Sequence, residues 1–343
     1  MPYIRNGWYV AGWADQLGSS PARIRIMDEW VAFYRAADGT PVAIGDVCPH
    51  RFASLSQGKV INDMLQCPYH GLRYDKEGIC RFNPHGDKTI PPRARVASYP
   101  LVERYNALWI WMGDRELADP ELIPDLDAFD RPALARSHGY LHVRSNYQLI
   151  TDNLLDLTHA EYLHPFLVPE GAAERTRLDV RQEDNTVWSM MWIDRQEITP
   201  LFKLVWDNTE THAQFRSHTM WTAPSAIAID TGMAKDGENE HDWPTLPSFH
   251  LLTPETENSA HYFWMIGRNR KVDDEELGRN IHEAIHNAFT TEDEPMIARA
   301  QENMNGADFW ELEPAILSSD KAAIRARRIT QKLIREQTAA FSA

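Results

Sequence analysis

The chain has 343 residues, of which 43% are hydrophobic and 25% charged, and its formal net charge is −15. That length is sufficient for two domains and a large buried core. The negative charge argues against nucleic acid as a partner, and the lack of a long uninterrupted apolar run argues against a membrane span. Three cysteines are too few for a disulfide framework, so the composition favours a reducing cytoplasm.

The first third of the chain has the pattern of a β domain. Residues 1–115 contain short apolar runs such as NALWIWMGD, separated by Gly, Pro, Asp and Asn, which is typical of short strands joined by turns. The opening stretch MPYIRNGWYVAGW mixes polar residues into its apolar run, so it predicts a first strand rather than a signal peptide. Residues 116–139 are rich in Asp and Pro and predict a connector, which leaves 140–343 as a second domain.

Two short motifs in the first domain combine cysteine with histidine. Cys48 and His50 lie in the motif CPH, and Cys67 and His70 lie in the motif CPYH, each on a predicted turn. Two thiolates and two imidazoles are the ligand set of a Rieske [2Fe–2S] cluster, in which the cysteines bind one iron and the histidines the other. The motifs therefore predict such a cluster and a part in redox catalysis.

A structural zinc site is the alternative for these residues, because two cysteines and two histidines are also a zinc ligand set. Zinc motifs usually place two cysteines on one short arm and two histidines on the other. Here each arm carries one of each, an arrangement that suits two irons better than one zinc. Cys80 lies outside both motifs, and its simplest interpretation is a thiol packed in the core.

The segment NYQLITDNLLDLTHAEYLH begins the second domain with apolar residues at helical spacing. Asn153, Asp156 and His159 are three residues apart and therefore share one helix face. His159 and His164 are five residues apart, which separates them by roughly 140° on an ideal helix. Both can bind one metal only if the helix ends or distorts there, and the following Pro165 is consistent with such a break.

Strand-like alternation returns from about residue 178 to residue 270, and helical spacing follows over 275–304. A last helix is predicted near 320–337. Its basic residues, Arg327 among them, stand out in an acidic chain, and we expect them to form a solvated helix face. The second domain is thus predicted to mix strands with helices.

Two histidines and one carboxylate form the facial triad of non-haem Fe(II) oxygenases, which keeps positions open for O₂ and substrate. His159 and His164 are the candidate histidines. The predicted helix over 275–304 offers the three consecutive acids Glu292, Asp293 and Glu294, and spacing alone does not choose among them. A Rieske cluster upstream strengthens the prediction, because its electron needs an acceptor.

Together the segments CPHRFASLSQGKVINDMLQCPYHGLRYD and NYQLITDNLLDLTHAEYLH resemble the oxygenase component of Rieske non-haem iron oxygenases. The similarity is to the branch containing vanillate and dicamba O-demethylases and toluenesulfonate methyl-monooxygenase, and it extends from RNGWYVAGW to TEDEPMIARAQ. The resemblance implies an α+β fold, with an N-terminal Rieske β domain and a C-terminal helix-grip (START-like) catalytic domain that has a curved antiparallel sheet. It also implies head-to-tail homotrimers, in which each cluster lies beside a neighbour's iron.

The resemblance assigns the metal ligands and residues near them. Asp156 matches an aspartate that bridges a cluster histidine of one subunit and an iron histidine of the next, and Asn153 matches a polar residue near the iron. The ligands it implies are Cys48, His50, Cys67 and His70 for the cluster, and His159, His164 and Asp293 for a mononuclear iron.

The resemblance also places residues in the substrate pocket. His250 matches a histidine that the dicamba member uses toward its substrate, whereas Ile229 and Ala284 stand where that member has an asparagine and a tryptophan. The pocket is therefore expected to be less polar on that side.

The implied function is that of the terminal oxygenase of a multicomponent monooxygenase, which uses O₂ for O-demethylation or methyl hydroxylation of an aromatic acid. The chain has no G-x-G-x-x-G motif after a predicted strand. NAD(P)H is therefore expected to act only through a separate reductase, with or without a ferredoxin. Two alternatives stay open: a ring-hydroxylating dioxygenase, and a Rieske electron-transfer or ligand-binding protein without a working mononuclear iron.

Overall fold

The computed structural model describes residues 2–18, 20–127, 133–168, 171–235, 237–238 and 242–342. The chain divides into two compact units. The first consists of Met1–Ile123 with Thr253–Thr256, and the second of Pro124–Leu252 with Glu257–Ala343. The predicted boundaries at residues 115 and 140 remain predictions.

Short strands build the first unit, as the alternation predicted. They are β1 (Trp8–Trp13), β2 (Ala22–Ile26), β3 (Glu29–Arg35), β4 (Pro41–Gly45), β5 (Lys59–Ile61), β6 (Met64–Gln66), β7 (Arg73–Tyr74), β8 (Cys80–Phe82), β9 (Ser98–Tyr99), β10 (Leu101–Arg104) and β11 (Ala107–Trp111). In the described residues they form three sheets, with strand orders β1-β11-β10, β2-β3-β4-β9 and β5-β6-β7-β8. The stretch MPYIRNGWYVAGW thus contains the first strand.

One hydrophobic cluster of the first unit contains all three cysteines. Cys48, Cys67 and Cys80 are each at most 2% exposed, and they pack with buried residues such as Tyr34 and Tyr74. The Sγ of Cys80 lies 3.4 Å from the carbonyl oxygen of Phe82. Cys80 is therefore a core thiol, as its isolated position in the sequence indicated.

The second unit is built around an antiparallel sheet. The strands of this sheet are β12 (Ala135–Val143), β13 (Thr176–Glu183), β14 (Thr186–Glu197), β15 (His212–Thr222), β16 (Ala226–Ala234), β17 (Thr245–Thr256) and β18 (Ser259–Arg268). The last four residues of β17, Thr253–Thr256, are grouped with the first unit. Within the described chain this sheet has seven strands in the order β12-β18-β17-β16-β15-β14-β13. In β14, alternate residues from Val187 to Ile193 are buried, as expected for a strand with one face toward a core.

Six helices accompany the sheet in the part of the second unit that the structure describes. They are α1 (Tyr147–Leu155), α2 (Ala160–Leu163), α3 (Pro200–Val205), α4 (Glu275–Asn287), α5 (Glu294–Met304) and α6 (Lys321–Ser342). A π-helical turn, Ala288–Asp293, joins α4 to α5. None of the described helices is long and apolar enough to cross a membrane.

Helix α6 does not present a uniformly solvated basic face, so that expectation was wrong for one residue. Arg327 is 6% exposed. Its Nε lies 3.0 and 2.8 Å from the two carboxylate oxygens of Asp152 in α1, and its Nη2 lies 2.6 Å from Oδ2. The guanidinium also stacks on the ring of Phe309 at 3.9 Å. Arg327 thus ties α6 to the helix that carries Asn153.

We expect Arg327→Ala to lower the free energy of unfolding by about 3–5 kcal/mol, because it leaves the Asp152 carboxylate without its buried counter-charge. Urea denaturation followed by circular dichroism measures this change. The matched control is Arg328→Ala, which removes an exposed arginine from the same helix and should change stability by less than about 0.5 kcal/mol. Equal effects of the two variants would contradict a structural role for the ion pair.

Candidate functional site

Two loops of the first unit carry the predicted cluster ligands and share one backbone pattern. Cys48 and His50 lie between β4 and β5, and Cys67 and His70 lie between β6 and β7. In each loop the cysteine N–H donates to the carbonyl five residues on, at 2.9 and 2.8 Å. In each loop the cysteine carbonyl accepts from the N–H four residues on, at 2.8 and 3.1 Å. The two loops are therefore folded alike around their cysteines.

Each loop turns through a residue in the left-handed region, four positions after its cysteine. These residues are Phe52, with φ of 60°, and Gly71, with φ of 73°. Glycine adopts this conformation without strain, whereas phenylalanine rarely does. Phe52 is also 77% exposed, so neither its backbone nor its side chain is explained by packing in a core.

The two loops bring the two thiols close to each other and the two imidazoles close to each other. The thiol of Cys48 is buried beside that of Cys67, and the rings of His50 and His70 meet edge to face with centroids 4.4 Å apart. The Nδ1 of His70 is buried and has no hydrogen-bond partner. Two neighbouring thiols and two neighbouring imidazoles fit a [2Fe–2S] cluster in which each iron has one ligand type.

Neighbouring groups are placed to tune such a cluster. The Tyr74 hydroxyl lies 3.3 Å from the Sγ of Cys48, and hydrogen bonds to cluster sulfurs are one lever on the reduction potential. Burial raises the pKa of the Cys48 thiol, so the thiolate needs the positive charge of a metal to form. His85 contacts the carbonyl oxygen of His70 at 2.8 Å and helps to hold that loop.

The second unit brings two histidines and one carboxylate together. One ligand atom each of His159, His164 and Asp293 lies within 4.8 Å of the others. The Nε2 atoms of His159 and His164 lie 3.6 and 3.2 Å from Oδ1 of Asp293. Asn153 donates from Nδ2 to the same oxygen at 3.1 Å. This donor set fits a facial triad for iron with open positions.

The predicted helical segment is interrupted, and the interruption lets both histidines face one point. Helix α1 ends at Leu155, and Asp156 leaves the helical region with φ of −112° and ψ of 84°. A 3₁₀ turn and the short α2 follow, and His164 leaves the helical region again with φ of −126° and ψ of 65°, just before Pro165. The distortion expected from the spacing is present, and it begins earlier than Pro165.

Asp293 reaches the histidines from a π-helical turn. The turn ends at Asp293, which is 5% exposed. A π-turn adds a residue to a helical stretch and re-aims the side chains that follow, and such turns are frequent at functional sites. Of the three acids that spacing could not separate, Asp293 meets the histidines, whereas Glu294 binds Arg144 through its Oε1 at 3.1 Å.

Each imidazole is oriented by a hydrogen bond at its Nδ1. The Nδ1–H of His159 donates to the backbone carbonyl of Asp156, and the Nδ1–H of His164 donates to Oε2 of Glu292, each at 2.6 Å. These bonds make Nδ1 the protonated nitrogen and leave each Nε2, which faces Asp293, as the atom that could bind a metal. No sequence pattern predicts this role for Glu292, and its adjacency to Asp293 is the only signal in the sequence.

The two histidines differ in electrostatic environment. Burial lowers the pKa of His159. Burial acts in the same direction on His164, but its bonds to Asp293 and Glu292 outweigh burial and raise its pKa. His159 is therefore neutral at neutral pH, which is the form that binds a metal.

The carboxylate of Asp156 is oriented by bonds within the chain. Its Oδ1 accepts from the N–H and the hydroxyl of Thr158, at 3.1 and 2.6 Å, and its Oδ2 accepts from the hydroxyl of Ser319 at 3.1 Å. Ser319 lies in the 3₁₀ turn that precedes α6, and no sequence pattern predicted a role for it here.

A cavity adjoins the triad. Met191, Ile229, His250 and Phe289 are among its lining residues, together with the three triad residues. His250 and Ile229 both line this cavity, and their contact with a substrate remains a prediction. Ala284 does not line the cavity: it is exposed, and its neighbour Ile285 lines the wall instead, because successive residues of α4 point in different directions.

Comparisons with known proteins agree with this arrangement. Residues 7–100 match the Rieske [2Fe-2S] domain, and residues 143–336 match the vanillate O-demethylase oxygenase C-terminal domain. The oxygenase component of dicamba O-demethylase from Stenotrophomonas maltophilia is 37% identical over 97% of this chain and 98% of its own length. The oxygenase component of chloroacetanilide N-alkylformylase from Rhizorhabdus wittichii is 34% identical over 98% and 97%.

A solved structure gives the same result for the fold. The crystal structure of dicamba monooxygenase with non-heme iron and dicamba superposes with a TM-score of 0.86 at 34% sequence identity, covering 99% of this chain and 100% of that one. The α+β architecture predicted from the sequence, with a β domain followed by a domain around a large antiparallel sheet, is thereby confirmed.

We expect Glu292→Gln to weaken iron retention by about 10- to 100-fold, because a carboxylate that orients a ligand histidine is replaced by a neutral amide. Iron analysis after dialysis against a chelator measures the loss, and the visible spectrum of the cluster should not change. Glu294→Gln is the matched control, since Glu294 lies two residues further on and binds Arg144 instead of a ligand histidine. Equal iron retention by both variants would contradict the role given to Glu292.

Proposed function

This chain belongs to the oxygenase components of the Rieske non-haem iron oxygenases, and we propose that it hydroxylates a methyl or methoxy carbon of an aromatic substrate. The observation that carries the proposal is the convergence of His159, His164 and Asp293 within 4.8 Å. Two imidazoles and one carboxylate leave coordination positions free for O₂ and substrate. A closed structural zinc site offers no such positions.

The reaction follows from the chemistry of an aryl methyl ether. When bound, the [2Fe–2S] cluster supplies electrons and the mononuclear iron activates O₂. One O₂, two electrons and two protons convert the ether to a hemiacetal and water, and the hemiacetal releases formaldehyde and a phenol. Residues of the chain would orient the iron ligands. The backbone carbonyl of Asp156 and the carboxylate of Glu292 accept from the Nδ1–H groups of the histidines, and Asn153 donates to Asp293.

We assign the individual roles as the resemblance implies. Asp156 would connect the cluster of one subunit to the iron of its neighbour in a head-to-tail homotrimer, and its carboxylate is already oriented by Thr158 and Ser319. His250 and Ile229 would contact the substrate. The proposed ligands are Cys48, His50, Cys67 and His70 for the cluster, and His159, His164 and Asp293 for the iron.

An oxygenase component needs a separate source of electrons, and we propose a reductase, with or without a ferredoxin, that draws on NAD(P)H. The surface around His50 supports electron exchange there: His50 is exposed, and Phe52 and Tyr69 are 77% and 65% exposed. Apolar rings around a redox centre suit brief protein contacts. None of the three cysteines forms a disulfide, which supports our proposal of a reducing cytoplasm.

O-demethylation is the first candidate reaction, because the dicamba relative carries that activity in its name. N-dealkylation is a second candidate. It is favoured by a relative named for N-alkyl chemistry that matches 98% of the chain. Both reactions hydroxylate a carbon next to a heteroatom and release an aldehyde, so the same site can perform either.

The test uses the holoenzyme with a surrogate reductase and a panel of methoxylated and methylated aromatic compounds. Formaldehyde and demethylated product support the proposal, whereas diols with intact methyl groups indicate a ring-hydroxylating dioxygenase. Iron analysis separates the oxygenase from an electron carrier: about three irons per chain are expected for the oxygenase and about two for a carrier with a cluster alone.

We expect Asp156→Asn to lower formaldehyde formation by about 10- to 100-fold, because an amide cannot replace the charged carboxylate between the two sites. The amide oxygen can still accept from Thr158 N, so the turn should persist. Stopped-flow reduction measures the cluster separately, and its reduction should be unchanged. The control is Asp184→Asn in an exposed turn. Full turnover in Asp156→Asn would contradict the electron route.

A further inference from the structure

The wall of the cavity beside the triad carries no cation. Among the described residues that line it there is neither a lysine nor an arginine, and the only carboxylate is Asp293, a proposed iron ligand. Leucine, isoleucine, valine, methionine and aromatic side chains make most of the remaining wall, Ile229 and Ile285 among them. A charged group on a substrate would therefore find no side chain of opposite charge away from the iron.

The polar side chains of the wall are already bonded to one another. The hydroxyls of Ser217 and Thr231 lie 2.9 Å apart. The Nε2 of His250 lies 2.9 Å from the hydroxyl of Ser248, and its Nδ1 lies 2.7 Å from the hydroxyl of Tyr262. The Ser217–Thr231 pair uses one of its two hydroxyl hydrogens in the bond between them. Neutral His250 accepts from one of its hydroxyl partners and donates to the other, so one hydroxyl hydrogen is left over in each group. The wall can thus donate to one neutral oxygen acceptor, but it cannot surround an anion with donors.

His250 does not provide the missing positive charge. Both of its ring nitrogens are engaged by hydroxyl groups. Burial lowers its pKa to about 3, against a smaller opposing effect of the Asp293 charge. A bound iron cation would disfavour protonation further. His250 therefore acts as a neutral, fixed imidazole that shapes the wall.

A bound iron would not supply the counter-charge that a carboxylate elsewhere on the substrate needs. The carbon to be hydroxylated must face the triad, so an acid group elsewhere on the same ring meets the remaining wall. There it would lose its water without gaining a counter-charge, and burial of an unpaired anion is strongly unfavourable. An amide, ester or ether oxygen in the same place needs only one donor.

We propose that the substrate is an uncharged aromatic compound with an O- or N-alkyl group and at most a neutral hydrogen-bond acceptor, in place of the aromatic acid that the resemblance suggests. The proposal rests on the proposed function and specifies the substrate of the same site. Recognition then depends on shape and apolar contact.

The experiment compares molecules of nearly equal shape that differ in charge. The probes are meta- and para-methoxybenzamide and the corresponding methoxybenzoates, titrated into the oxidised holoenzyme at pH 7.5 under anaerobic conditions and followed by calorimetry. We expect the amides to bind with dissociation constants at least about tenfold lower than those of the acids. Equal or tighter binding of the acids, or no measurable binding of either amide, would overturn the proposal.

Turnover of the same probes separates this proposal from the proposed function. Amides that bind tighter than the acids but release no formaldehyde would support the substrate class while the reaction fails. Acids that bind as tightly as the amides and are demethylated would overturn the substrate class while the reaction stands.

A pair of variants tests the wall directly. Ile229→Asn adds N–H donors to the cavity. The asparagine side chain can hydrogen-bond to the carboxylate of a methoxybenzoate, so the ratio by which the enzyme prefers the benzamides should fall at least about threefold. Ile229→Val keeps the wall apolar and should leave the preference as it is. An amide preference unaffected by asparagine would contradict the assignment of selectivity to this wall.

Discussion

The proposed iron site of the second unit depends on the hydrogen bonds that orient its two histidines. An imidazole can turn about its side-chain bonds, so a metal site needs a second contact that fixes each ring. His159 takes that contact from the backbone carbonyl of Asp156 and His164 takes it from Glu292. The helix must break at Asp156 to free that carbonyl from the helical ladder. The break, the tautomers and the convergence on Asp293 are thus parts of one constraint.

In the first unit the proposed ligands are positioned by backbone hydrogen bonds. Its two ligand loops are fixed by backbone bonds between residues four and five apart, around Cys48 and around Cys67. The conformation of each loop is therefore determined by residues close in sequence, and the strands of the unit need only bring the two loops together. The iron site, in contrast, joins His164 to Asp293 from distant parts of the chain, so it exists only once α1 has packed against α5.

This difference explains what the sequence could predict. Local features were accessible: the Cys and His motifs, the strands around them, and the spacing that required a helix break before His164. Family resemblance was needed to choose Asp293, since a π-helical turn aims it and no spacing rule announces such a turn. The roles of Glu292, Ser319 and Arg327 arise from tertiary packing, which a residue's own neighbours in sequence do not reveal.

The same packing keeps charged side chains away from most of the cavity wall. In the described part of the second unit, the charged residue lining the cavity belongs to the triad. Ser217, Thr231 and His250 have hydrogen-bond partners within the wall. A paired polar group costs little to bury but attracts a ligand weakly. Selectivity in such a cavity must come from fit against apolar side chains. A single wall position such as Ile229 can then change which substrate is accepted without disturbing the iron ligands.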